Sequence, residues 1–486
     1  MTAVGDTEIS TPLLIAGQER VSPQTFPVYD PAHAGRVIGR AAAATAGDAL
    51  DAVAAAHQAW PAWAALPAAE RAAIALKALD GLEADADERA ELLSRENGKV
   101  RFEAGIDLAV FTGRFHQAAE FAPELDQPER IAGPPFTTTI TRLPAGVVTI
   151  IYPFNWPLAI LAASLPYALM AGNTVIVKPP PTTPLSSVRT LAHLVRKLPP
   201  GVLNVVTGAD NVIGPVVVGD PRVGHVCFTG SVGGGKQIMK MAAASLTNVT
   251  LELGGNDPAI VLDDANLDEA AFGRMSGATF MTTGQVCMAL KRLYVPRRRY
   301  DEVIDGLRAT LTGAKTGPGL DPATTLGPLN TARQRDYVAG LVEEARAAGA
   351  EVLTFGECTV DPASGNYLLP SLVLDPRPDL GIVTEEQFGP ALPVIPYDTE
   401  EEAVALANNT WSGLCSSVWS ADTEHGMKIA RQLRTGVTFF NNHNATAVDE
   451  RAPFGGFNQS GIGRELGREG LLGFTETHVM AVPSAG

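Results

Sequence analysis

The sequence predicts an α/β protein built from two doubly wound domains and a small β arm. From about residue 147 to residue 442, short apolar runs rich in β-branched residues alternate with helical segments. These runs are apolar on both faces, which is typical of parallel strands covered by helices on both sides of a sheet. A chain of 486 residues is long enough for two or three domains.

The first 125 residues precede this alternation. About the first 40 predict strands and turns, and the Ala-rich remainder repeats apolar residues every three or four positions, as amphipathic helices do. Pro61 and Pro67 divide that remainder into separate helices. The Thr-rich stretch 134–144 then predicts an exposed β-hairpin.

Helices separate the strands of the first predicted sheet. The strand runs are 147–152, 174–178, 202–208, 225–230 and 249–255. The helix predicted over 183–198 has Thr183 as its N-cap and Pro184 in its first turn. Right-handed crossovers join strands of this kind, and ligands bind beyond their carboxyl ends. The sequence therefore predicts a nucleotide-binding type of sheet.

A second series of strands and helices follows the pair Gly254–Gly255. Its strand runs are 258–264, 290–296, 391–397, 414–420 and 436–442. No sequence repeat relates the two series. We therefore expect two α/β domains that join near this glycine pair.

The overall charge and the spacing of the cysteines argue against a nucleic-acid-binding, metal-binding or disulfide-bonded protein. The chain has 37 basic and 53 acidic residues, a net charge of −16 and a pI near 5.0. Such a surface repels nucleic acid. The cysteines, which form neither a CxxC pair nor a zinc-ligand spacing, are Cys227, Cys287, Cys358 and Cys415. We expect no metal site, no disulfide framework and a reducing, cytoplasmic compartment.

Two stretches bear on targeting and membranes. The N-terminal residues lack the basic region of a signal peptide. The stretch between Arg142 and Lys178 carries no charge, but prolines, Asn155 and Asn173 interrupt it. No uninterrupted apolar stretch of about 20 residues remains, so we expect no membrane association.

The Gly-rich stretch GSVGGGKQ (230–237) lies between a predicted strand and a predicted helix. It approaches the phosphate loop of nucleoside triphosphatases, but Gln237 stands where Ser or Thr should bind magnesium. It also differs from the dinucleotide fingerprint GxGxxG. Glycines let a backbone approach a ligand, and a helix N-terminus favours an anion. The stretch is either an anion-binding loop or a tight turn alone, and a P-loop-like nucleotide triphosphatase stays open as an alternative.

Polar residues stand where the predicted strands end. Asn155 follows the first strand, Lys178 ends the second, and Glu252 lies within an otherwise apolar strand. A buried carboxylate is costly unless it is paired, and a raised pKa suits a general base. Cys287, in TTGQVCMAL, is either a small buried hydrophobe or a nucleophile. Ligands of such sheets bind at the carboxyl ends of the strands, so we expect Asn155, Glu252 and Cys287 to form one site with the loop 230–235.

Several short motifs occur in the order found in one enzyme family. They are PFNWPL, AGNTVIVKP, FTGS, LELGG, GQVC, EEQFGP and PFGG. From RENGK (95–99) to SGIGRELGREG (460–470), the chain resembles the aldehyde dehydrogenase superfamily, in its hydrolytic NAD(P)-dependent branch. The resemblance implies oxidation of a small-molecule aldehyde to a carboxylic acid, with NAD as the expected cofactor and NADP as the alternative.

The resemblance assigns the chemistry to three side chains. Cys287 matches the nucleophile whose thiolate adds to the aldehyde, giving a thiohemiacetal and then a thioester. Asn155 matches the amide that stabilises the oxyanion, together with the backbone N–H of Cys287. Glu252 matches the base that activates water, and it argues against the acyl-CoA-forming branch, which lacks this base. A protein that kept the fold without chemistry would not need all three.

The resemblance also implies a cofactor site. The matching residues are Lys178, Gly230, Ser231, Gly235, Glu386, Phe388, Trp156 and Pro153. Lys178 would bind the adenosine ribose, Ser231 the pyrophosphate and Glu386 the nicotinamide ribose. Pro181 stands where the family often has a Glu that binds the 2′ and 3′ hydroxyls of the adenosine ribose. The choice between NAD and NADP therefore stays open.

A substrate tunnel is implied in the same way. The matching positions are Trp156, Ile160, Ala163, Met281, Val286, Met288, Val448 and Phe454. All are apolar, and none offers a charge to an acidic or basic tail. We expect a medium-chain or aromatic aldehyde; the alternative is an NADP-preferring semialdehyde dehydrogenase.

The resemblance finally implies a division of the chain. A Rossmann-like dinucleotide-binding domain would cover residues 1–125 and 146–254, and a catalytic domain residues 255–455. An oligomerisation arm would cover residues 126–145 and 470–486. Exposed edge strands can pair with another subunit, so we expect a homodimer or a homotetramer.

Overall fold

The computed structural model describes residues 9–483, without the side chain of Thr446. In chain order its strands are β1 (Ile9–Thr11), β2 (Leu13–Ile15), β3 (Gln18–Arg20), β4 (Thr25–Tyr29), β5 (Val37–Ala42), β6 (Glu129–Ile131), β7 (Phe136–Pro144), β8 (Val147–Ile151), β9 (Thr174–Lys178), β10 (Leu203–Val205), β11 (Val223–Gly230), β12 (Asn248–Leu253), β13 (Asp257–Val261), β14 (Leu290–Pro296), β15 (Lys315–Thr316), β16 (Glu351–Thr354), β17 (Glu357–Cys358), β18 (Ser371–Leu374), β19 (Ala391–Tyr397), β20 (Cys415–Trp419), β21 (Val437–Phe440), β22 (Gly461–Ile462) and β23 (Thr475–Pro483). Its α-helices are α1 (Ala46–Ala64), α2 (Ala68–Lys77), α3 (Ala86–Asn97), α4 (Arg101–Phe121), α5 (Pro157–Met170), α6 (Leu185–Val195), α7 (Asp210–Gly219), α8 (Val232–Ala242), α9 (Glu269–Phe280), α10 (Tyr300–Leu311), α11 (Ala332–Ala347), α12 (Gly381–Thr384), α13 (Glu400–Asn408), α14 (Thr423–Ala430) and α15 (Gly467–Leu472).

The largest sheet forms the first α/β unit. Its strand order, in the described part of the chain, is β22-β12-β11-β8-β9-β10-β2-β3. The strands from β12 to β10 run parallel, and β22, β2 and β3 add antiparallel edges that the sequence did not predict. The chain runs from β8 outwards through β9 and β10 and then returns to β11, on the other side of β8. Strand order thus reverses between β8 and β11, and ligands of doubly wound sheets bind at such a point.

Helices cover both faces of this sheet. Val148 and Ile150 of β8 pack into a core that also contains residues of α4, α5 and α6. Val147 belongs to a second core with residues of α1, α7 and α8. Because successive side chains of a strand point to opposite faces, these cores lie on the two sides of the sheet. The predicted doubly wound arrangement is therefore confirmed.

The second α/β unit has the same layering. Its strand order within residues 9–483 is β16-β18-β19-β14-β13-β20-β21, and only β16 is antiparallel to its neighbour. Leu293 and Val295 of β14 pack with α9 and α10, whereas Tyr294 packs with α11, α13 and α14. Strand β12 of the first unit ends at Leu253 and β13 of the second begins at Asp257, and the Gly254–Gly255 pair lies between them. The sequence did not predict α9 or β16 to β18.

A separate antiparallel sheet forms the arm. Its strands are β23, β7 and β6, and β7 and β23 are nine residues each and pair along their whole length. Phe136, Val479 and Val482 are exposed on it. The Thr-rich stretch 134–144, predicted as a hairpin, instead forms the single strand β7, which pairs with β6 on one side and with the C-terminal strand β23 on the other. Residues 484–486 of the predicted arm and residues 1–8 of the predicted first domain lie outside the described part of the chain.

The start of α6 differs from the prediction. Pro184 takes the capping position, and within residues 9–483 the Thr183 hydroxyl has no hydrogen-bond partner. The buried carboxylate of Glu96 instead accepts from the backbone N–H groups of Leu185 at 2.8 Å and Ser186 at 2.9 Å. A carboxylate from another helix thus satisfies the first N–H groups of α6. Burial raises the pKa of Glu96 to about 7.

Helix α5 carries much of the uncharged stretch between Arg142 and Lys178. It has 14 residues, nearly all buried, and packs against α4 in the core of the first unit. Within the described residues, no helix combines the length and the apolar character needed to cross a membrane.

Candidate active site

The reversal of strand order between β8 and β11 brings two loops together. Pro153, Phe154 and Asn155 follow β8, and Gly230 and Ser231 stand where β11 gives way to α8. All five residues line one cavity of about 280 Å³. The site therefore lies where the topology of a doubly wound sheet places it.

Hydrogen bonds fix both the side chain of Asn155 and the backbone just before it. Its side chain is buried, and its amide nitrogen donates to the carbonyl oxygen of Gln285 at 2.8 Å. The preceding residue is also tied, because the Asn97 amide donates to the carbonyl oxygen of Phe154 at 2.6 Å. An amide NH₂ group has two N–H donors, and only this one bond uses them among the described residues, so one remains for a ligand.

A buried ion pair supports the segment after Asn155. The ammonium of Lys99 lies 3.0 Å from the Asp107 carboxylate and 3.9 Å from the ring centroid of Trp156. Asp107 also accepts from the backbone N–H of Ala159 at 2.6 Å, in the first turn of α5. A fully buried ion pair needs such additional partners to offset the loss of hydration. Lys99 and Asp107 therefore fix the turn that leads from Asn155 into α5.

Cys287 follows a strained turn. Residues Met281–Gly284 form a 3₁₀ segment in which Thr282 and Thr283 have φ of 51° and 56°. β-branched residues rarely adopt this left-handed conformation, which costs free energy and must be held by the surroundings. The backbone N–H of Thr282 donates to Glu103 at 2.7 Å. At Gly284 (φ 75°) an added Cβ would come within 2.3 Å of the carbonyl oxygen of Gly389, so only glycine fits.

Glu252 lies on β12, buried, with 4 % of its surface exposed. Among the described residues, no hydrogen-bond partner reaches either of its carboxylate oxygens. Burial, reinforced by the nearby Glu465 carboxylate, holds the pKa of Glu252 well above its usual range, and Arg464 opposes the shift. An added Cβ at Gly455 would lie 2.7 Å from Oε1 of Glu252. The small neighbour therefore leaves this carboxyl group free to meet a ligand.

A second cavity, of about 210 Å³, meets the first. Residues that line both cavities are Asn155, Ile160, Thr229, Glu252 and Cys287. The predicted nucleophile, amide donor and base thus lie together at the junction of two cavities, each able to receive a different molecule.

The first cavity contains most of the predicted cofactor residues. Those that line it are Pro153, Gly230, Ser231, Glu386 and Phe388. Glu386 accepts from the backbone N–H of Gly255 at 3.3 Å, and an added Cβ at Gly254 would come within 2.1 Å of its Oε2. Phe388 has φ of 48° and meets the ring of Phe154 edge-on, with centroids 6.1 Å apart.

The remaining predicted cofactor residues lie elsewhere. Trp156 lines the second cavity and not the first. Gly235 is buried, and an added Cβ there would come within 2.7 Å of Leu253, so its small size serves helix–sheet packing. Lys178 ends β9 and pairs with Asp210 at 2.5 Å, outside both cavities.

The Gly-rich stretch forms the N-terminus of α8. The Ser231 hydroxyl caps the helix by accepting from the backbone N–H of Gly234 at 3.1 Å. Lys236, the lysine of the phosphate-loop-like pattern, donates to Gln459 at 2.7 Å, and Gln237 is exposed. In a phosphate loop this lysine would contact the phosphates, so the geometry gives the triphosphatase alternative no support.

All eight predicted tunnel positions line the second cavity. They are Trp156, Ile160, Ala163, Met281, Val286, Met288, Val448 and Phe454. The wall also contains charged residues that the sequence did not predict there: Arg114, Glu450 and Glu465. Arg114 pairs with Glu450 at 2.9 Å and donates to the carbonyl oxygen of Ala159 at 2.6 Å.

The spacing of residues along α4 could have predicted part of the wall of the second cavity. Ile106, Val110 and Arg114 recur at intervals of four on α4, and all of them line the cavity. Residues at this spacing share one helix face. Glu450 offers no such signal, because it lies 336 positions from its partner Arg114. Within residues 9–483 no group of three or more His, Cys, Asp or Glu side chains could hold a metal ion.

Comparisons with known proteins agree with this geometry. The model of the aldehyde dehydrogenase family matches residues 18–480. The geranial dehydrogenase of Castellaniella defragrans is 37% identical over 395 residues, which is 81% of each chain. The NAD-dependent aldehyde dehydrogenase of Sinorhizobium meliloti superposes with a TM-score of 0.93 at 33% identity, over 98% of this chain and 95% of that one. An NADP-dependent enzyme of E. coli superposes equally, with a TM-score of 0.93 at 31% identity over 98% of both chains. The chain belongs to the aldehyde dehydrogenase family.

Proposed function

We propose that this enzyme oxidises an uncharged aldehyde to a carboxylic acid, with NAD as the hydride acceptor and Cys287 as the nucleophile. One observation carries the proposal: Cys287 lies, with Asn155 and Glu252, where the two cavities meet. A cofactor in the first cavity and an aldehyde in the second would then reach the same sulfur atom. Membership of the aldehyde dehydrogenase family supports the same reaction.

The first cavity suits a dinucleotide. The absence of a side chain at Gly254 leaves the Glu386 carboxylate beside the cavity, where it can accept from ribose hydroxyls. The N-terminus of α8 with Ser231 suits a pyrophosphate, because its N–H groups favour an anion. Phe388 and Phe154 provide apolar surface for a nicotinamide ring. When bound, NAD would supply the acceptor for a hydride.

The first step requires a thiolate at Cys287. Burial raises the pKa of this thiol to about 12; Lys291 lowers it, whereas Glu386, Asp257 and Glu252 raise it further. The thiol is therefore protonated at neutral pH and must give its proton to water as the aldehyde adds. The sulfur then bonds to the carbonyl carbon, and the oxyanion accepts from the Asn155 amide and from the Cys287 N–H. Loss of a hydride from this adduct leaves a thioester on Cys287.

The second step requires a hydroxide equivalent. The Glu252 carboxyl group meets both cavities and has none of the described residues as a hydrogen-bond partner. In its ionised form it would take a proton from water as the water oxygen attacks the thioester carbon. The carbon–sulfur bond breaks, Cys287 recovers its thiolate, and the carboxylic acid leaves.

The wall of the second cavity supports a medium-chain or aromatic aldehyde. The predicted tunnel residues on it are apolar, and Glu450 already pairs with Arg114, so that no unpaired charge of this ion pair faces a substrate tail. The similarity to a geranial dehydrogenase also favours an apolar substrate, as the apolar tunnel residues do. A semialdehyde would have to compete with Glu450 for Arg114.

The predicted division of the chain is part of the proposal. Residues 1–125 and 146–254 would bind NAD, residues 255–455 would carry Cys287, and the arm of 126–145 and 470–486 would pair with another subunit. The exposed apolar residues Phe136, Val479 and Val482 support a homodimer or homotetramer that covers them.

A panel of aldehydes tests the proposal. We expect purified enzyme to reduce NAD with hexanal and benzaldehyde, and Cys287→Ala to lose this activity. The matched control is Cys358→Ala, which removes another half-buried thiol, on β17, and should keep full activity. Mass spectrometry of the quenched wild-type enzyme should find an acyl group on Cys287. Equal turnover by Cys287→Ala and the wild type would contradict the mechanism.

A further inference from the structure

Lys178 and Asp210 form an ion pair at the carboxyl edge of the first sheet. Lys178 ends β9 and its side chain is 4% exposed, whereas Asp210 opens α7 and is 78% exposed. The ammonium and one carboxylate oxygen are 2.5 Å apart. A deeply placed cation is thus covered by a carboxylate that faces solvent.

This pair lies in the direction that a dinucleotide would take from the junction. β9 and β10 follow β8 on the side away from β11, and α7 begins just after β10. Since neighbouring strands are ~4.8 Å apart, β10 lies roughly 14 Å from β11. A dinucleotide whose nicotinamide reaches Cys287 and whose pyrophosphate meets α8 would therefore extend its adenosine ribose towards Lys178.

The fold itself does not choose between NAD and NADP, because relatives of both kinds superpose on this chain. In doubly wound sheets, a carboxylate beside the adenosine ribose hydrogen-bonds its hydroxyls, whereas a cation accommodates a 2′-phosphate. At Pro181, three residues after Lys178, the chain offers no carboxylate. Asp210 offers one from another element, and it is bonded to the cation that a 2′-phosphate would use.

We propose that Asp210 makes the enzyme select NAD over NADP, by occupying Lys178 and by repelling a 2′-phosphate on the adenosine ribose. The inference rests on the proposed function, because that function places the dinucleotide along this edge. Asp210 acts at the cofactor and has no contact with the reacting atoms.

Calorimetric titration of the enzyme with NAD and with NADP, in the absence of aldehyde, tests the proposal. The wild type should bind NAD more tightly. Asp210→Asn should strengthen NADP binding by about tenfold or more, because a repulsive charge is lost and Lys178 becomes free. The gain should shrink as salt is added, since salt screens exposed charges.

Two further variants separate charge from structure. Asp210→Glu keeps the carboxylate and should keep the preference for NAD. Asp305→Asn removes another exposed aspartate of an ion pair, on α10, and should bind both dinucleotides as the wild type does. An Asp210→Asn enzyme whose ratio of NADP to NAD affinity equals that of the wild type would overturn the proposal, as would a wild type that prefers NADP. Failure of the proposed function has a different signature: NAD would bind, yet no aldehyde would reduce it.

Discussion

The ammonium of Lys291 contacts the carbonyl oxygen of Cys287, four positions earlier in the chain, and lies 3.4 Å from the Glu386 carboxylate. Lys291 is almost fully buried, with 3% of its side chain exposed. It therefore joins the residue proposed as nucleophile to a residue proposed to bind the nicotinamide ribose. It is also the charge that opposes the raised pKa of the Cys287 thiol.

Replacing Lys291 should make Cys287 less acidic. In Lys291→Met the carboxylates around the thiol lose their counter-charge, so the pH profile of alkylation by iodoacetamide should move to higher pH. At a fixed pH below the thiol pKa, the alkylation rate should fall about tenfold for each unit of that move. Lys291→Arg, which keeps the charge, should recover part of the rate. Lys315→Met, at an exposed position on β15, serves as the control. An unchanged profile in Lys291→Met would show that Lys291 only fills space.

Glu252→Gln should separate the two halves of the reaction. The first turnover needs Cys287 and Asn155, whereas release of the acid needs a base. We expect a rapid burst of reduced cofactor followed by a steady rate lower by about 10²–10⁴. Stopped-flow absorbance measures both phases. Loss of the burst together with the steady rate would assign Glu252 to the first step.

Glu252 also predicts how stability varies with pH. Its folded-state pKa lies above its ordinary value, because burial disfavours the charged form. The folded protein therefore holds this proton more tightly than the unfolded chain, so stability is full below the unfolded pKa and declines as pH rises through the folded pKa. The decline amounts to about 1.4 kcal/mol per pH unit in that window. Glu252→Gln should remove this contribution.

Thermal unfolding of the wild type and Glu252→Gln across a pH series checks this sign. We expect the variant to melt increasingly above the wild type as the pH is raised, and the two melting temperatures to converge in acid. Glu129→Gln, on the exposed strand β6, removes a carboxylate that is not buried and should show no such divergence. A gain by Glu252→Gln that is equal at all pH values would point to packing instead of charge.

Substitution of Glu450 should change which aldehydes are accepted. In the wild type, Glu450 neutralises Arg114 at the wall of the second cavity. Glu450→Gln leaves Arg114 without its carboxylate, so kcat/KM for an aldehyde with a terminal carboxylate should rise by about tenfold relative to an uncharged aldehyde of equal length. Asp449→Asn breaks the neighbouring exposed pair with Arg451 and should leave this ratio unchanged. A wild-type enzyme that already prefers the charged aldehyde would contradict the proposed substrate class.

The sequence predicted what depends on local pattern. Asn155, Glu252 and Cys287 stand in recognisable motifs at or near strand ends, and the sheet topology then brings them to one place. Pairs between distant elements left no such pattern, as Lys178 with Asp210 and Arg114 with Glu450 illustrate. Each of these contacts depends on how separate helices and strands pack, which spacing along the chain does not encode.

Predictions from the conformational preferences of single residues also failed where tertiary contacts outweigh those preferences. Thr183 is a good N-cap residue, yet the carboxylate of Glu96 takes that task because it is buried at the same helix end. Thr282 and Thr283 adopt a conformation that threonine disfavours, since hydrogen bonds to Glu103 and to the carbonyl oxygen of Gly327 hold the turn before Cys287. Strain beside a reactive residue is characteristic of active sites and follows from no propensity scale.

The junction of the two cavities has a kinetic consequence. Apart from the few residues around Cys287, each cavity has its own walls, so in the proposed reaction the organic acid departs without passing the bound dinucleotide. Neither reactant needs to vacate the site before the other is exchanged. Mutations in the wall of the second cavity can therefore alter the exchange of substrate without altering the exchange of the dinucleotide in the first. Both molecules still meet at the sulfur atom of Cys287.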